Sequence, residues 1–398
     1  MYTVLDRWVK KHKIAVFHWA FDFFGGGEKV AVDIAKCLGL KKVYTLFSET
    51  ERDGVKVEDI SYLLPRWARL LGKIITKRKR ALEYWLWEMI DVTELGDFDI
   101  IITSGVTPRA IITQEHVMHV NYNHSVPRWL WDLWHFCWKL AGRSTKIFTF
   151  AELFRWMDVI ADSRVDYYFV NSELIKRRLW KYLKRDSVVL YPAIETKKYR
   201  FKEFGDFVLH MGRFDVEKQI MPVIRACEKV GVKLVLTGNA GNDKETFKYV
   251  QKHNGNGIIY YRGFVSEEEK LELLARCKAV IYNPLNEDYG IIPSEALCSG
   301  KPVIVNNTGY PPLLIRKTGS IANDNGLEVC KGGIITKGDS DSIAKALKLL
   351  DKYNWDSEFM RNFAKKFDIE AFRTNLIIQL RIWKKEFDKI LERDYHKL

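Results

Sequence analysis

Apolar residues recur along the chain in two alternating rhythms. Short β-branched and aromatic runs bounded by turn residues read as strands buried on both faces: IAVFHWAF (14–21), KVYTLFS (42–48), DIIITSG (99–105), HVNYN (119–123), DYYFVNS (166–172) and VVLYP (188–192). Between them, segments such as GEKVAVDIAKCLG (27–39) and SELIKRRLWKYLK (172–184) have the spacing of amphipathic helices. Strand and helix in alternation predict a parallel sheet with crossover helices, a Rossmann-like unit. A second series follows YPAIETKKYRFKEFGD (191–206), with strands at 207–214, 232–238, 258–264, 278–284 and 302–307. Helices separate these too, as in SEEEKLELLARC (266–277), where Ser266 and Glu269 have capping-box spacing. The architecture is therefore repeated: an α/β chain with domains at 1–193 and 194–368, and a last amphipathic stretch within 369–398 that either extends the second domain or crosses back to the first.

A length of 398 residues fits two domains, and 47% hydrophobic with 29% charged residues excludes a disordered or fibrous chain. The net charge of +13, from 64 Lys and Arg against 51 Asp and Glu, favours an anionic partner such as nucleic acid, phosphorylated small molecules or an acidic membrane. Tryptophan is less evenly spread than charge: 11 of the 13 precede residue 191. The six cysteines have no metal-binding spacing, which fits reduced thiols in a cytoplasmic chain. The first residues do not read as a signal peptide, and no run approaches the roughly 18–20 apolar residues of a spanning helix, so membrane contact is expected to be peripheral.

The most specific segment is NPLNEDYGIIPSEALCSGKPVIV (283–305). Glu287 and Glu295 frame Gly290 at a turn from strand to helix, with Pro293 in the first helical turn. A helix N-terminus offers N–H donors to a phosphate, and the two carboxylates could accept from sugar hydroxyls beside it. Spacing alone favours the plainer alternative of a capped helix with exposed acids. Arg213 and Lys218 change that balance, because HMGRFDVEKQI (210–220) puts two cations just past a strand of the same domain.

Together these residues resemble the donor site of the retaining family 4 glycosyltransferases. The similarity runs in order through FGGGEKVAVDIA (24–35), YNHSVPRWLWD (122–132), FVNSELIKRRL (169–179), LYPAIET (190–196), MGRF, LTGNAG (236–241), RGFVSEEEKLELLARC (262–277) and the Glu287/Glu295 segment. It implies the GT-B fold, two facing Rossmann-like domains with an interdomain cleft. It also implies that Glu295 binds the ribose of a nucleotide sugar, that Glu287 binds the transferred sugar, and that the backbone at Gly290, Ile291 and Ile292 supports sugar and phosphate. By the same resemblance Arg213 and Lys218 take the diphosphate in place of a metal, His124 contacts the reacting centre, and Phe264 marks where the base is held. Gly26 and Gly27 would let backbone approach the phosphate or acceptor, and Gly238 with Gly241 would admit the nucleotide. NEDYG stands where EGFG-like residues are common in the family, which puts Asp288 and Tyr289 beside the sugar. No carboxylate nucleophile is implied, so the expected reaction is front-face transfer with retention, without cofactor or metal. The Asp339-x-Asp341 pair reads as a helix cap and first-turn acid.

HSVPRWLWD resembles the segment of mannosyl-transferring members, which makes GDP-mannose the first expectation for the donor, with UDP-glucose and UDP-N-acetylglucosamine open. For the acceptor, a lipid-linked or oligosaccharide substrate is expected on the first domain. Between 60 and 82 there are seven basic residues (Arg66, Arg69, Lys73, Lys77, Arg78, Lys79, Arg80) and no acidic one, with apolar residues at helical spacing. Trp129, Trp131, Trp134, Trp138 and Trp156 follow. Peripheral contact with an anionic membrane on its cytoplasmic face and an ordinary core-facing helix fit this pattern equally. A nucleic-acid binder would leave the Glu287 segment without a role, and an oxidoreductase would need a GxGxxG that is missing. A GT-B epimerase or phosphorylase is the nearer alternative.

Overall fold

The computed structural model describes residues 2–21, 25–78 and 83–395. It divides into unit 1, Met1–Ala193 with Ile369–Leu398, and unit 2, Ile194–Asp368. The strands of unit 1 are β1 (Ile14–His18), β2 (Lys42–Thr45), β3 (Thr50–Arg52), β4 (Val55–Asp59), β5 (Ile100–Ser104), β6 (Met118–Asn123), β7 (Tyr167–Val170) and β8 (Val188–Val189). They form one sheet in the order β3-β4-β2-β1-β5-β6-β7-β8, parallel except for β3, which runs antiparallel to β4. Its helices are α1 (Tyr2–Lys11), α2 (Gly26–Cys37), α3 (Arg66–Arg78), α4 (Glu83–Glu88), α5 (Trp134–Leu140), α6 (Thr145–Ser163) and α7 (Glu173–Leu183).

Unit 2 continues with β9 (Phe207–Met211), α8 (Ile220–Val230), β10 (Lys233–Thr237), α9 (Lys244–His253), β11 (Ile259–Tyr261), α10 (Glu267–Arg276) and β12 (Ala279–Tyr282). There follow α11 (Ile291–Cys298), β13 (Val303–Asn306), α12 (Pro311–Arg316), β14 (Ser320–Asp324), β15 (Leu327–Cys330), β16 (Gly333–Thr336), α13 (Ser340–Leu349) and α14 (Ser357–Ala364). Its sheet has the order β11-β10-β9-β12-β13-β16-β15-β14. The last two strands are antiparallel, a meander at the edge of an otherwise parallel sheet. The final helix, α15 (Ile369–Tyr395), returns to unit 1.

Alternation along the strands of unit 1 sends neighbouring residues to opposite faces. Ile14, Val16, Ile100 and Ile102 join a core with α2 and with Phe372, Leu376, Leu380 and Trp383 of α15. Ala15, Phe17 and Ile101 join a second core under α3, α4 and α6. Trp383 stacks on Tyr167 at 5.0 Å, and Arg373 reaches the carbonyl of Cys37 at 3.0 Å, so α15 is anchored at two points.

The second core contains an ionic network. Arg109 is fully buried and ion-paired to Asp158, with Asp162 at 3.4 Å. Tyr84 and Trp131 donate to the two oxygens of Asp158, and Tyr168 donates to Asp162, so the carboxylates are satisfied as well as neutralised. Burial pushes the Asp162 carboxyl up, against the pull of Arg109. An Arg109→Met substitution leaves both acids in the core without their cation and is expected to destabilise unit 1 by about 3–5 kcal/mol. Denaturation followed by tryptophan fluorescence reads this unit selectively, because Trp355 is the one tryptophan in unit 2. A loss below about 1 kcal/mol, the size of an ordinary substitution, would count against the network's importance.

Candidate active site

In unit 2 the predicted donor residues follow the carboxyl ends of β9 and β12. Beyond β9 the chain passes Gly212 and Arg213, and Arg213 is ion-paired to nearly buried Asp215. Asp215 also accepts from the Asn242 N–H at 2.9 Å, which ties this loop to the one after β10. Lys218 ends a single 3-10 turn, Val216–Lys218, and its Nζ lies 2.7 Å from Glu287 Oε2, both side chains about a quarter exposed. Two residues proposed to bind adjacent parts of one ligand are therefore already in contact.

Glu287 is held by its backbone. The Leu285 N–H donates to the Glu217 carbonyl at 2.7 Å, and the Tyr310 N–H to the Glu287 carbonyl at 2.9 Å. Gly309, at φ +77°, lies so close that a Cβ there would sit 2.4 Å from the Glu287 nitrogen. Gly290, at φ +72°, begins α11, and a Cβ on it would meet the Tyr282 ring at 2.6 Å. Burial, and next the Glu287 carboxylate, keep the Tyr282 phenol well above its ordinary pKa, a neutral wall behind the turn. The N–H groups of Ile291 and Ile292 lead the helix, where no intrahelical carbonyl precedes them.

Glu295 has a different setting. It is 5% exposed, and its Oε1 accepts from Tyr199 Oη at 2.7 Å and Lys270 Nζ at 2.9 Å. Burial and the Glu295 charge push the Tyr199 phenol up, so it remains a donor. Burial alone would lower the Lys270 pKa, but Glu295 and Glu267 raise it overall. Neither Tyr199 nor Lys270 has a sequence signal, since one lies in the link from unit 1 and the other on α10.

Two expectations change here. Tyr289 does not extend toward a sugar: it is buried, stacked on Tyr310 at 5.4 Å, with its hydroxyl 2.9 Å from Ser294 Oγ, and so it braces the turn from inside. Gly238 and Gly241 have a nearer purpose than admitting a nucleotide. A Cβ on Gly238 would lie 2.0 Å from the Gly212 carbonyl oxygen, and one on Gly241 2.2 Å from Asp215 Oδ1, so each allows the loops after β9 and β10 to touch. Phe264 follows β11 and is 79% exposed. Asp339 caps α13 by accepting from the Ser342 N–H at 2.8 Å, and Asp341 pairs with Lys229. Among the described residues no group of three His, Cys, Asp or Glu is placed to hold a metal ion.

In unit 1 the adjacent strands β1, β5 and β6 end at one edge. His18 Nδ1 lies 3.0 Å from Ser104 Oγ, which lies 2.9 Å from His124 Nε2. His18 and Ser104 were not predicted; their only sequence signal is a polar residue at the end of an apolar run. Gly27, in the first turn of α2, faces this pair, with its missing Cβ 3.8 Å from both His124 Nε2 and His18 Cε1, while Gly26 opens to free space. Gly25 is the helix N-cap, its N–H donating to Glu28 Oε2 at 3.0 Å. Burial lowers the His124 pKa to about 4, so the ring is neutral at physiological pH. Phe24 lies outside the described residues, as do the side chains of Lys73, Lys77, Arg78, Lys79 and Arg80.

With this geometry in hand, similarity to known proteins is informative. Residues 193–367 match the family Glycosyl transferases group 1. The chain is 26% identical over 358 residues to the alpha-1,3/1,6-mannosyltransferase ALG2 of Saccharomyces cerevisiae, covering 72% of this chain and 68% of that one. It is 23% identical over 188 residues to the O-antigen chain mannosyltransferase B of Escherichia coli, spanning 44% of this chain and about half, 49%, of that relative. The fold matches Anabaena HepE, solved in complex with UDP-glucose, with a TM-score of 0.65 at 17% identity, over 93% of this chain and all of that one. Residues 193–367 are thus a glycosyl transferases group 1 domain, and the chain is a glycosyltransferase of the GT-B fold.

Proposed function

We propose that the protein is a retaining, metal-independent glycosyltransferase that moves mannose from GDP-mannose to a lipid-linked or oligosaccharide acceptor at the cytoplasmic face of a membrane. The observation that carries this reading is the Lys218–Glu287 ion pair at the carboxyl edge of the unit 2 sheet, with Arg213 on the same loop. A diphosphate arriving there competes with Glu287 for the ammonium group. Lys218 then turns to the phosphate, and the released carboxylate accepts from hydroxyls of the sugar. The names of the yeast and E. coli relatives support mannose.

In the reaction the bond from the anomeric carbon to the diphosphate oxygen breaks, and negative charge grows on the leaving group. Fixed cations at Arg213 and Lys218 stabilise that charge more in the transition state than in the ground state, the work a metal ion does elsewhere. The acceptor hydroxyl attacks from the same face and gives its proton to the departing phosphate oxygen, so configuration is retained without a protein nucleophile. Glu295, braced by Tyr199 and Lys270 through Oε1, keeps Oε2 for the ribose hydroxyls. His124, neutral, offers the reacting centre a hydrogen-bonding ring without a charge.

The test is incubation with GDP-mannose, UDP-glucose and UDP-N-acetylglucosamine, with and without chelator, following nucleoside diphosphate release. Release from GDP-mannose that chelation leaves intact is expected. Release from a UDP-sugar alone overturns the donor, and metal dependence overturns the role given to the two cations.

Glu287→Gln and Lys218→Met should each lower kcat by about 10²–10³-fold, the usual cost of removing one preorganised charge-stabilising group. Stability should change little, because the pair is partly exposed. Near-full turnover by Glu287→Gln would contradict its role.

Burial lowers His210 as well as His124 to about 4. Unfolded histidine titrates near 6.5, so between these values the unfolded chain binds protons that the folded chain does not. Their contribution to stability is therefore complete above about pH 6.5 and declines as pH falls toward 4. The same shift predicts kcat/KM without a histidine inflection from pH 6 to 8. A limb near about 6.5, the unperturbed histidine value, that vanishes in His124→Gln would show the ring titrating in catalysis.

A further inference from the structure

The helices on the two faces of the unit 1 sheet show water different surfaces. On one face α15 exposes Arg381, Lys385, Glu386 and Lys389, with Ile382 and Ile390 among them. On the other, α4 packs against both α3 and α6, and all three send inner side chains such as Ala68, Trp87 and Phe154 into one core. Their outer side chains are also apolar. Along α6 these are Phe150, Leu153, Trp156, Val159 and Ile160, with Trp156 70% exposed. On α3, Trp67, Leu70 and Leu71 are exposed, and Trp85 and Met89 continue the surface on and just past α4. The core-facing alternative for the 60–82 segment therefore fails at Trp67, Leu70 and Leu71. Soluble chains seldom leave so many neighbouring large apolar groups in water unless something covers them.

Charge indicates what does. Of the acids near this surface, Glu88 and Glu152 are ion-paired to Arg164 and Arg155, and Asp91, just past Met89, accepts from the Thr93 N–H at 2.9 Å, with exposed Glu94 beyond it. From 133 to 151 the sequence has no Asp or Glu, while Lys139, Arg143 and Lys146 are exposed, as is Arg66 at the start of α3. An apolar field bordered by cations is complementary to acyl chains beneath anionic headgroups, and tryptophan is suited to that boundary. A second copy of the chain, docked by the same face, would bring like charges together. No described helix is long and apolar enough to cross a membrane, so such a contact lies on the bilayer.

We propose that α3, α4 and α6 form a face that rests on an anionic phospholipid bilayer, with Trp67, Leu70, Phe150, Leu153 and Trp156 in the interface and Arg66, Lys139, Arg143 and Lys146 against the headgroups. This face is independent of which sugar the enzyme moves, and it would hold unit 1 where a lipid-linked acceptor is presented.

Flotation of the full chain with phosphatidylcholine vesicles, with and without about 30 mol% phosphatidylglycerol, tests it, since basic residues add affinity only where the lipid is anionic. Binding to the anionic vesicles, weakened by salt, is expected. The double variant Phe150→Glu, Trp156→Glu should partition at least tenfold less, about 1.4 kcal/mol. Because both positions are exposed, its circular dichroism and its release of nucleoside diphosphate from a soluble donor should match the unaltered protein. The proposal is overturned if the unaltered protein stays with the dense fraction, or if the double variant floats equally well. It is also overturned if sedimentation shows a dimer that the double variant abolishes, since the face would then join two copies. Donor turnover absent while vesicle binding persists would defeat the glycosyl-transfer reading and leave this one standing.

Discussion

Burial of parallel strands on both faces determines where chemistry can occur in this protein. A central strand with helices above and below has no lateral surface left for a ligand, and its backbone groups are taken by its neighbours. Only the strand ends and the loops after them remain, where backbone donors and side chains can turn toward solvent. His18, Ser104 and His124 end three adjacent strands of unit 1, and Arg213, Lys218 and Glu287 follow two adjacent strands of unit 2. The loops can be short because their glycines allow close approach. Gly238 rests on the Gly212 carbonyl, and Gly309 on Glu287, with no room for a Cβ at either.

Within that constraint, two residues of the same type, one turn of chain apart, have opposite physical situations. Glu287 is partly exposed and paired to a single cation that an anionic ligand would claim, so the pair holds both groups ready at modest desolvation cost. Glu295 is buried beneath the helix start and fixed by a phenol and an ammonium drawn from two other elements. The first can exchange partners on binding, whereas the second has its direction set by donors that stay in place. A carboxylate that must orient a ligand benefits from such fixed support, because the ordering has been done during folding.

Much of this was legible in the sequence, and what was not has identifiable causes. The central strands were visible because each is a short run of Ile, Val, Leu and aromatic residues, such as IIIT at the centre of β5 or VIVN in β13. The hairpin β3–β4 and the strands β14, β15 and β16 were missed. TER and SIAND are polar, partly exposed edge strands paired antiparallel, so they lack the buried run that identified the others. At the candidate site, local spacing singled out the groups contributed by one segment: Glu287, Gly290 and Glu295. It could not reveal Tyr199, Lys270 or Gly309, which reach those groups from 22 to 96 residues away in sequence. Tyr289 was misplaced for the same reason. Its neighbours in sequence suggest a sugar, whereas the Tyr310 ring and Ser294 hydroxyl that hold it inward belong to the tertiary structure.

Tryptophan and charge, which looked like unrelated imbalances of composition, meet on one surface of unit 1. Several tryptophans are structural: Trp87 is buried among the α4 core residues, Trp131 donates to Asp158, and Trp134 lies under Arg155 at 4.4 Å. Trp180 is exposed on α7 with Lys184 over its ring at 4.6 Å, whereas Trp67, Trp85 and Trp156 stand exposed on three neighbouring helices whose inner faces the same core already occupies. A helix needs one apolar stripe to fold onto a sheet; α6 has a second, on the side away from it. That second stripe contributes nothing to the folded unit in water, where exposing it is unfavourable. The buried network of Arg109, Asp158 and Asp162 bears on this cost, because it ties α6 to the sheet by polar contacts beneath the helix and so leaves the outer face free to be apolar. Stability from within and recognition from without are thereby assigned to opposite sides of the same helix.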